Sequence, residues 1–327
     1  MLHAGQAPNV TTNALTVDGP RVAVILPCLN EAVAIAGVIA AFHIALPQAA
    51  IVVIDNASTD GTSAAAQAAG AEVLVERNRG KGNAVRRAFA AIDADVYLMA
   101  DGDGTYDASQ APRLVELLWR ERLDMVVATR RKIADDAYRA GHEIGNRLFN
   151  RVLKSFFGSA FNDIFSGYRA LSNRYVKSFP ALSDGFEIET EMSVHAIMLR
   201  MPVAEVECDY RGRVAGTFSK LNKYRDGWRI ARTIVHFLRL HRPLLFFGTL
   251  ACAMLAVSGA LFYPVLVHFL ETGLVPRMPT LMVSVGIAVV AALLAMCGLI
   301  LDTTIRTQLE IRRLLYLNAP RGRTPTP

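Results

Sequence analysis

The chain has 327 residues, 52% of them hydrophobic, and a mean hydropathy of +0.29, which is too apolar for an ordinary soluble enzyme. Its formal net charge is +6. No recognition module or interleaved aromatic and basic pattern accompanies this charge, so we expect no nucleic-acid partner. Anionic lipid headgroups explain the charge better. The four cysteines show no metal-like spacing and are interpreted as reduced, structural thiols.

Apolar strand-like runs alternate with helical patterns over roughly the first half of the chain. Strands are predicted at 22–26, 51–54, 72–75, 95–99 and 125–128, and helices from about 31, 62, 81 and 111. This rhythm implies parallel strands in a nucleotide-binding-type α/β sandwich. Residues 1–20 are polar and lack a basic-then-apolar secretory pattern, so a flexible N-terminal segment is predicted and the soluble portion stays on the synthesis side.

Two long apolar runs near the end of the chain predict a transmembrane hairpin. Residues 281–301 contain no charge, and 244–270 form a second run that tolerates Pro264 and His268. Each run is long enough to cross the hydrocarbon core as a helix, and the linker between them contains Pro276 and Pro279. A buried core helix is the alternative. The predicted membrane segment covers 243–305.

Basic residues flank this hairpin on both sides and predict its orientation. They are Arg239, His241 and Arg242 before the first span, and Arg306, Arg312 and Arg313 after the second. The positive-inside rule then predicts a multi-pass membrane protein with both termini and the catalytic domain in the cytoplasm, which fits a bacterial inner membrane. Residues 224–242 predict an amphipathic interfacial helix, with an ordinary surface helix as the alternative, and 306–327 a cytoplasmic basic tail.

Two carboxylates, Asp101 and Asp103, follow the predicted strand 95–99 directly. Open α/β sheets bind ligands at the carboxyl ends of their strands, and carboxylate oxygens suit Mg²⁺ or Mn²⁺ that bridges substrate phosphates. Ordinary turn chemistry is the alternative for an isolated Asp-x-Asp. A calcium loop is excluded, because it needs Gly and Glu where the chain has Tyr106 and Pro112.

Further polar residues follow the neighbouring strands and are expected to line the same crevice. They are Pro27, Asn30 and Glu31 after the first strand and Asp55 after the second. Asp55 is a candidate to read a base, whereas Asp60 is more typical of a helix N-cap. The run Gly80-Lys81-Gly82 predicts a loop that brings backbone close to an anion at a helix N-terminus, with the lysine beside it.

These motifs together resemble glycosyltransferase family 2. Downstream, the runs Phe165-Ser166-Gly167-Tyr168-Arg169-Ala170, Gly185-Phe186-Glu187-Ile188-Glu189 and Gly216-Thr217-Phe218-Ser219-Lys220 resemble its polyprenyl-phosphate branch, which includes dolichyl-phosphate mannose and glucose synthases. The resemblance covers about 21–220. It implies the fold class α/β, as a GT-A Rossmann-like nucleotide-sugar-binding domain over 21–223 followed by the two-helix transmembrane hairpin.

The resemblance implies transfer of a sugar from a nucleotide diphosphate to the phosphate of a membrane polyprenol, with inversion at the anomeric carbon. Pro27, Asn30, Glu31, Asp55, Lys81 and Asp101 are then donor-nucleotide residues. Asp101 and Asp103 are the metal ligands, with Mn²⁺ or Mg²⁺ as cofactor. The resemblance also implies a catalytic role for Asp103, because this residue would ligate the cation on the diphosphate. Relatives with this hairpin can associate through it, so a homo-oligomer is also implied.

Two anions must be aligned in this reaction, and cationic side chains are the candidates. Arg130, Arg139, Arg213, Ser219 and Lys220 are predicted to bind the acceptor phosphate, and Arg130 and Arg169 to act in catalysis. Glu187 and Glu189 are further catalytic candidates. They are expected to alternate along a short extended run, so that one could face the sugar; structural pairing is the alternative. Each arginine taken alone could be a surface charge.

The segment Gly104-Thr105-Tyr106-Asp107 departs from much of this branch, which has a Leu-Gln-type segment there. The Asp-Gly-Asp-Gly-Thr-Tyr form resembles members that use UDP-hexoses or UDP-N-acetylhexosamines, so we expect a UDP-sugar donor. The alternatives are a GDP-mannose-dependent polyprenyl-phosphate mannose synthase and a non-catalytic membrane subunit that binds lipid-linked sugars. A transporter, a nucleotide-sugar pyrophosphorylase and a processive polysaccharide synthase fit the sequence less well.

Overall fold

The computed structural model describes residues 10–11, 19–132, 163–185, 187–210, 239 and 242–319, with the backbone alone at 10–11, 130–132 and 209–210. The chain divides into two compact units. The first consists of Met1–Lys220 together with Arg312–Pro327, and the second of Leu221–Ile311.

The first unit is built around a sheet to which seven of the described strands belong. They are β2 (Val22–Cys28), β3 (Ala50–Asp55), β4 (Glu72–Val75), β6 (Val96–Met99), β7 (Met125–Lys132), β8 (Arg169–Ser172) and β9 (Val203–Tyr210), in the order β4-β3-β2-β6-β8-β7-β9. Two short strands, β1 (Val10–Thr11) and β5 (Ile92–Asp93), pair in parallel beside it. Part of the segment expected to be flexible is therefore a strand.

The strands β4, β3, β2 and β6 run parallel to one another, as the alternation of strands and helices predicted. Their carboxyl ends consequently meet at one edge of the sheet. β8 runs antiparallel to both of its neighbours, β6 and β7, while β7 and β9 are parallel. The sequence did not predict β8 or β9.

Helices cover both faces of the sheet. They are α1 (Ile35–Ala45), α2 (Thr62–Ala68), α3 (Lys81–Ala91), α4 (Ala111–Arg120), α5 (Asn173–Ser178) and α6 (Ile188–Met198). Alternate residues of a strand point to opposite faces, so Val24 and Leu26 share one apolar cluster with α1 and α4. On the other face Tyr97 packs edge-on against Phe89 of α3, with ring centroids 6.0 Å apart. Burying each large apolar side chain stabilises the fold by about 1.5–3 kcal/mol.

The second unit contains two long apolar helices, α7 (Pro243–Thr272) and most of α8 (Met278–Asn318). Both are long and apolar enough to cross a membrane. Their most apolar stretches are only 11% and 17% buried, whereas the core helix of a soluble protein is mostly buried. Large side chains such as Leu255 and Leu293 are half exposed. The buried-core alternative does not fit these exposures.

Small residues spaced seven apart line the contact between α7 and α8. Ala251 and Ser258 are buried on α7, and Ser284, Ala291 and Gly298 on α8. The Ser258 hydroxyl donates a 2.7 Å hydrogen bond to the carbonyl oxygen of Ser284. A Cβ on Gly298 would lie 3.0 Å from the Cβ of Phe247, so a larger residue would crowd this contact. Small residues at a seven-residue period are typical of closely packed, left-handed helix pairs.

The observed helices extend beyond the predicted spans of 244–270 and 281–301. α8 continues to Asn318, so the first part of the predicted tail 306–327 is helical, and its residues from Arg312 onward belong to the first unit. The predicted interfacial helix 224–242 lies outside the described residues, except for Arg239 and Arg242. The boundary at residue 223 falls in the same undescribed part of the chain and stays a prediction.

Candidate active site

The predicted crevice lies where β2, β3 and β6 end. Three loops follow these strands, at 29–34, 56–61 and 100–107, and parallel pairing brings them to one edge of the sheet. This edge is where ligands bind in open α/β folds. The described donor candidates Pro27, Asn30, Glu31, Asp55 and Asp101 all lie at the end of one of these strands or in the loop after it.

The first two loops are joined by hydrogen bonds between backbone and side chains. The Asn30 backbone N–H donates to Ser58 Oγ at 3.0 Å, and the Thr59 N–H donates to Asn30 Oδ1 at 2.8 Å. The Glu31 N–H donates to Thr62 Oγ1 at 2.9 Å. Asn30 adopts a φ of +59°, a conformation that asparagine tolerates better than most residues. Asn30 therefore holds the two loops together, whatever contact it makes with a donor.

Asp55, at the tip of β3, is buried and organises its own loop. Its Oδ1 accepts a 2.9 Å hydrogen bond from the Ser58 N–H, and its Oδ2 accepts one from the Ser63 hydroxyl. Carboxylate oxygens can each accept more than one hydrogen bond. The predicted contact with a base stays a prediction, and the structure adds a role for Asp55 in shaping the loop.

Asp101 and Asp103 stand at the end of β6 with Gly102 between them. Asp103 Oδ1 accepts hydrogen bonds from the Thr105 backbone N–H at 3.1 Å and the Thr105 hydroxyl at 2.6 Å, which fixes the turn after the strand. A Cβ on Gly102 would overlap the sulfur of Cys28, the last residue of β2. Burial raises the pKa of Cys28, so this sulfur is a neutral packing group.

Lys81, the first residue of α3, bridges two carboxylates in the crevice. Its Nζ forms ion pairs with Asp101 Oδ1 and, at 2.6 Å, with Glu189 Oε1. The side chains of Lys81 and Glu189 are 8% and 6% exposed, whereas that of Asp101 is 31% exposed. Burial lowers the pKa of Lys81, but the charges of Asp101 and Glu189 outweigh it, so the net shift is upward and the ammonium stays charged.

The glycines beside Lys81 do not have the role expected from the sequence. A Cβ on Gly80 would overlap the carbonyl oxygen of Asp184, and one on Gly82 that of Ser183. The Gly82 N–H donates a 2.9 Å hydrogen bond to the Asp184 carbonyl. The expected open approach for an anion at this loop is therefore wrong, because protein backbone fills the space. The contact of Lys81 itself with a donor stays a prediction.

The segment from Phe165 to Arg169 closes over the ion pair. A Cβ on Gly167 would lie 3.0 Å from Lys81 Nζ and 3.1 Å from Asp101 Oδ2. The Gly167 N–H donates a 2.9 Å hydrogen bond to the hydroxyl of Tyr106, whose ring packs at 5.2 Å from that of Tyr168. Tyr106, which belongs to the segment 104–107 that departs from the family pattern, therefore joins the aspartate loop to this segment.

Arg169, the first residue of β8, is fully buried. Its Nε donates to the Ser166 carbonyl at 2.8 Å, Nη1 to Ser193 Oγ at 2.9 Å, and Nη2 to the Ile164 carbonyl at 2.6 Å. Burial lowers the pKa of this guanidinium. These three hydrogen bonds hold the segment from Ile164 to Ser166 against α6. The predicted role of Arg169 in catalysis stays a prediction.

The glutamates expected along an extended run lie at the start of α6. Glu187 is the N-cap residue and is exposed, whereas Glu189 is buried in the first turn and faces Lys81. The predicted extended run is therefore the start of a helix, and Glu189 forms the ion pair with Lys81 that its structural alternative describes. Within the described part of the chain, Glu189 Oε2 has no hydrogen-bond partner. Whether Glu187 or Glu189 takes part in catalysis stays a prediction.

The sequence did not single out three residues that support the site. Glu191 accepts hydrogen bonds from the N–H groups of Leu182 and Ser183 at 2.9 and 2.7 Å. Arg86 donates from Nε to the Ala181 carbonyl at 2.7 Å. Asn56 accepts from the Gly80 N–H at 2.6 Å. These contacts link positions that are distant in sequence, and short-range patterns carry no signal for them.

Several predicted acceptor residues cannot be compared with the structure. Arg139, Arg213, Ser219 and Lys220 lie outside the described residues. Arg130 is described only by its backbone, near the end of β7. Their proposed contacts with the acceptor phosphate stay predictions.

The two aspartates fit a metal that is completed by substrate oxygens. Among the described residues, no group of three or more His, Cys, Asp or Glu side chains is arranged to hold a metal ion. Mg²⁺ and related cations are commonly held by one or two carboxylates together with substrate phosphates and water. Asp101, partly exposed, and Asp103 two residues on supply this kind of incomplete ligand set.

Known proteins resemble both the sequence and the fold. Residues 23–179 match the model of Glycosyl transferase family 2. Glycosyltransferase AglJ of Haloferax volcanii is 37% identical over 239 residues, which are 72% of this chain and 78% of the relative. A dolichyl-phosphate hexose transferase of the same organism is 28% identical over 213 residues, 65% of this chain and 92% of the relative.

A similar solved structure is that of glucosyl-3-phosphoglycerate synthase from Mycobacterium tuberculosis in complex with Mn²⁺ and UDP-glucose. It aligns with a TM-score of 0.54 and 25% identity, over 67% of this chain and 78% of that chain. The chain belongs to glycosyltransferase family 2 and is a glycosyltransferase with a GT-A-like α/β sheet and two C-terminal helices that could span a membrane. The resemblance read from the sequence is confirmed.

Proposed function

We propose that this chain is a membrane-bound, inverting, metal-dependent glycosyltransferase. It transfers a hexose or N-acetylhexosamine from a UDP-sugar to a polyprenyl phosphate and releases UDP. The observation that carries the proposal is the combination, in one chain, of the Asp101 and Asp103 crevice with two apolar helices that are mostly exposed.

The composition of the crevice supports a nucleotide diphosphate donor. Two carboxylates stand at a strand end, and among the described residues no third His, Cys, Asp or Glu completes a metal site, so substrate oxygens would have to supply the remaining ligands of a cation. The structurally similar glucosyl-3-phosphoglycerate synthase binds Mn²⁺ and UDP-glucose, which supports the same class of donor here. A bound cation would neutralise charge on the departing diphosphate. Asp101 and Asp103 are the residues that would hold it.

The apolar helices and a relative support a lipid acceptor. α7 and α8 present large apolar side chains outward, as expected for helices in contact with lipid. The similar dolichyl-phosphate hexose transferase acts, by its name, on a lipid phosphate. We propose that both helices span the membrane and that the first unit and both chain termini are cytoplasmic.

A phosphate acceptor simplifies the chemistry required of the protein. The acceptor oxygen is already anionic at neutral pH, so no strong general base has to remove a proton. The protein must instead bind the donor, exclude water and hold two mutually repelling anions in line. We propose that Arg130, Arg139, Arg213, Ser219 and Lys220 bind the acceptor phosphate.

The test is a transfer assay with the full chain purified in detergent. It is incubated with a polyprenyl phosphate, Mn²⁺ or Mg²⁺, and a panel of UDP- and GDP-sugars, and the lipid products are identified by mass spectrometry. The expected product is a polyprenyl-monophosphate sugar from a UDP-sugar, absent with EDTA and restored by Mn²⁺. A lipid product formed only from GDP-mannose would overturn the proposal of a UDP-sugar donor. Nucleotide binding without transfer from any donor would favour a non-catalytic subunit.

A further inference from the structure

The ammonium of Lys81 contacts two carboxylates of the candidate active site. It contacts Asp101 Oδ1 on one side and Glu189 Oε1 on the other. Both oxygens contact the same nitrogen, so a single ammonium links the two carboxylates. Asp101 comes from the end of β6 and Glu189 from α6, so the lysine joins two elements that are 88 residues apart in sequence.

In the described part of the chain, Glu189 reaches the candidate metal site only through Lys81, which also contacts Asp101. Its side chain is 6% exposed, and its Oε2 has no hydrogen-bond partner within the described residues. Buried carboxylate oxygens normally have partners, because their desolvation is costly. Asp101, Asp103 and Glu189 do not form a described three-ligand group, and the Lys81 ammonium occupies the position between two of them.

The surroundings of Lys81 fix it in this position. Gly167 lies so close that a Cβ there would be 3.0 Å from the lysine nitrogen. On the helix side, Gly82 packs against the Ser183 carbonyl, which fixes the start of α3. The lysine side chain is 8% exposed and therefore has little freedom to swing away. With its charge, the formal charge of the four side chains Lys81, Asp101, Asp103 and Glu189 sums to −2, which matches one divalent cation.

We propose that Lys81 is a positioning residue that keeps Glu189 out of the metal's coordination. Its ammonium engages one oxygen of Asp101 and holds Glu189 in a second ion pair. A bound cation would then be held by two protein carboxylates, Asp101 and Asp103, and the donor diphosphate would supply further ligands. This inference rests on the proposed metal-dependent function and deepens it.

The test is direct titration of Mn²⁺ alone into the full, detergent-solubilised chain, followed by calorimetry or by the electron paramagnetic resonance signal of free Mn²⁺. Lys81→Met should bind Mn²⁺ at least about tenfold more tightly than the unmodified chain, since supporting residues change metal affinity by about 10–100-fold. The double variant Lys81→Met with Glu189→Gln should return to the unmodified affinity. Lys81→Arg, which keeps the charge, should bind like the unmodified chain.

The single variant Glu189→Gln provides a second test. Lys81 keeps its ion pair with Asp101 in this variant, so no buried charge loses its only partner. If Lys81 keeps Glu189 off the metal, this variant binds Mn²⁺ with an affinity within about twofold of the unmodified chain. A loss of about tenfold or more would show that Glu189 is a direct ligand and would overturn the inference. The control Lys177→Met changes an exposed lysine of α5 in the same way.

The outcomes separate this inference from the proposed function. If the unmodified chain binds no Mn²⁺ even with UDP present, the metal-dependent function fails and the inference fails with it. If the unmodified chain binds Mn²⁺ but Lys81→Met binds it no more tightly, only the inference fails. If the double variant binds Mn²⁺ as tightly as Lys81→Met does, the inference is also overturned, because the additional metal ligand is then not Glu189.

Discussion

Tyr316, near the end of α8, donates a 2.6 Å hydrogen bond from its hydroxyl to Oδ2 of Asp124, which lies 192 residues earlier, just before β7. Asp124 is 2% exposed and also pairs with Arg174 at 2.9 Å. The guanidinium of Arg174 lies 4.1 Å from the centroid of the Tyr316 ring. The last turns of α8, which belong to the first unit, thus anchor to it through a polar contact.

Loss of this anchor should destabilise the catalytic unit. Tyr316→Phe removes the hydroxyl from a buried carboxylate, and we expect the free energy of unfolding to fall by about 1–3 kcal/mol. Chemical denaturation in detergent, followed by tryptophan fluorescence, measures it. Tyr263→Phe is the matched control, because Tyr263 is 68% exposed on α7. Equal stability of the two variants would contradict the anchor.

Asp103 should be needed for turnover but not for folding. Asp103→Asn removes a charge from the proposed cation site while keeping a group that accepts from Thr105. We expect kcat to fall by about 10²–10³-fold, in the range of lost electrostatic stabilisation of a transition state, with an unchanged thermal midpoint. Glu121→Gln, at the exposed end of α4, is the control. Full activity of Asp103→Asn would refute the metal assignment.

Two helical glycines should respond in opposite directions to the same change. Gly82→Ala places a Cβ against the Ser183 carbonyl, and we expect a loss of about 1–3 kcal/mol, as for overpacked sites. Gly37→Ala, inside α1 with open space around the added carbon, should stabilise the chain by about 0.5–1 kcal/mol. Thermal unfolding of the two variants measures both changes in stability. A Gly82→Ala variant as stable as the unmodified chain would contradict the close packing of this loop.

Burial and, to a smaller degree, Arg312 lower the pKa of His195 to about 3. The unfolded chain binds a proton near pH 6.5, so the neutral folded histidine contributes stability that is fully present above that pH and is lost as pH falls toward 3. From pH 7 to pH 4.5 this group alone should cost about 2–3 kcal/mol. His195→Gln should show a shallower decline in stability with acidification, measured by denaturation at each pH. Parallel declines would contradict this assignment.

Lys220 should affect the acceptor more than the donor. The residue lies outside the described part of the chain, and its role comes from the match to the family motif. Lys220→Ala should raise the KM for polyprenyl phosphate by about 10–100-fold, since a charge-assisted contact contributes about 1.5–3 kcal/mol, and leave the KM for the UDP-sugar unchanged. Lys177→Ala is the control. A defect confined to the donor would assign Lys220 to the nucleotide instead.

Local patterns were sufficient for much of the fold. The strand predicted at 72–75 has those bounds, and the helix predicted from 81 begins at Lys81. These elements follow from the periodicity of neighbouring residues, which a sequence displays directly. The two long helices follow from the length of their apolar runs, since length and composition alone decide whether a helix can span a membrane.

The sequence by itself thus determined the family, the parallel part of the sheet and the position of Asp101 and Asp103 at a strand end. Only the tertiary structure decided which charged side chains reach the crevice. Buried Arg169 donates hydrogen bonds to Ile164 and Ser193. Lys81 forms an ion pair with Glu189, which lies 108 residues later in the sequence. The physical reason is that burial and ion pairing depend on contacts between distant segments, which short-range periodicity does not encode.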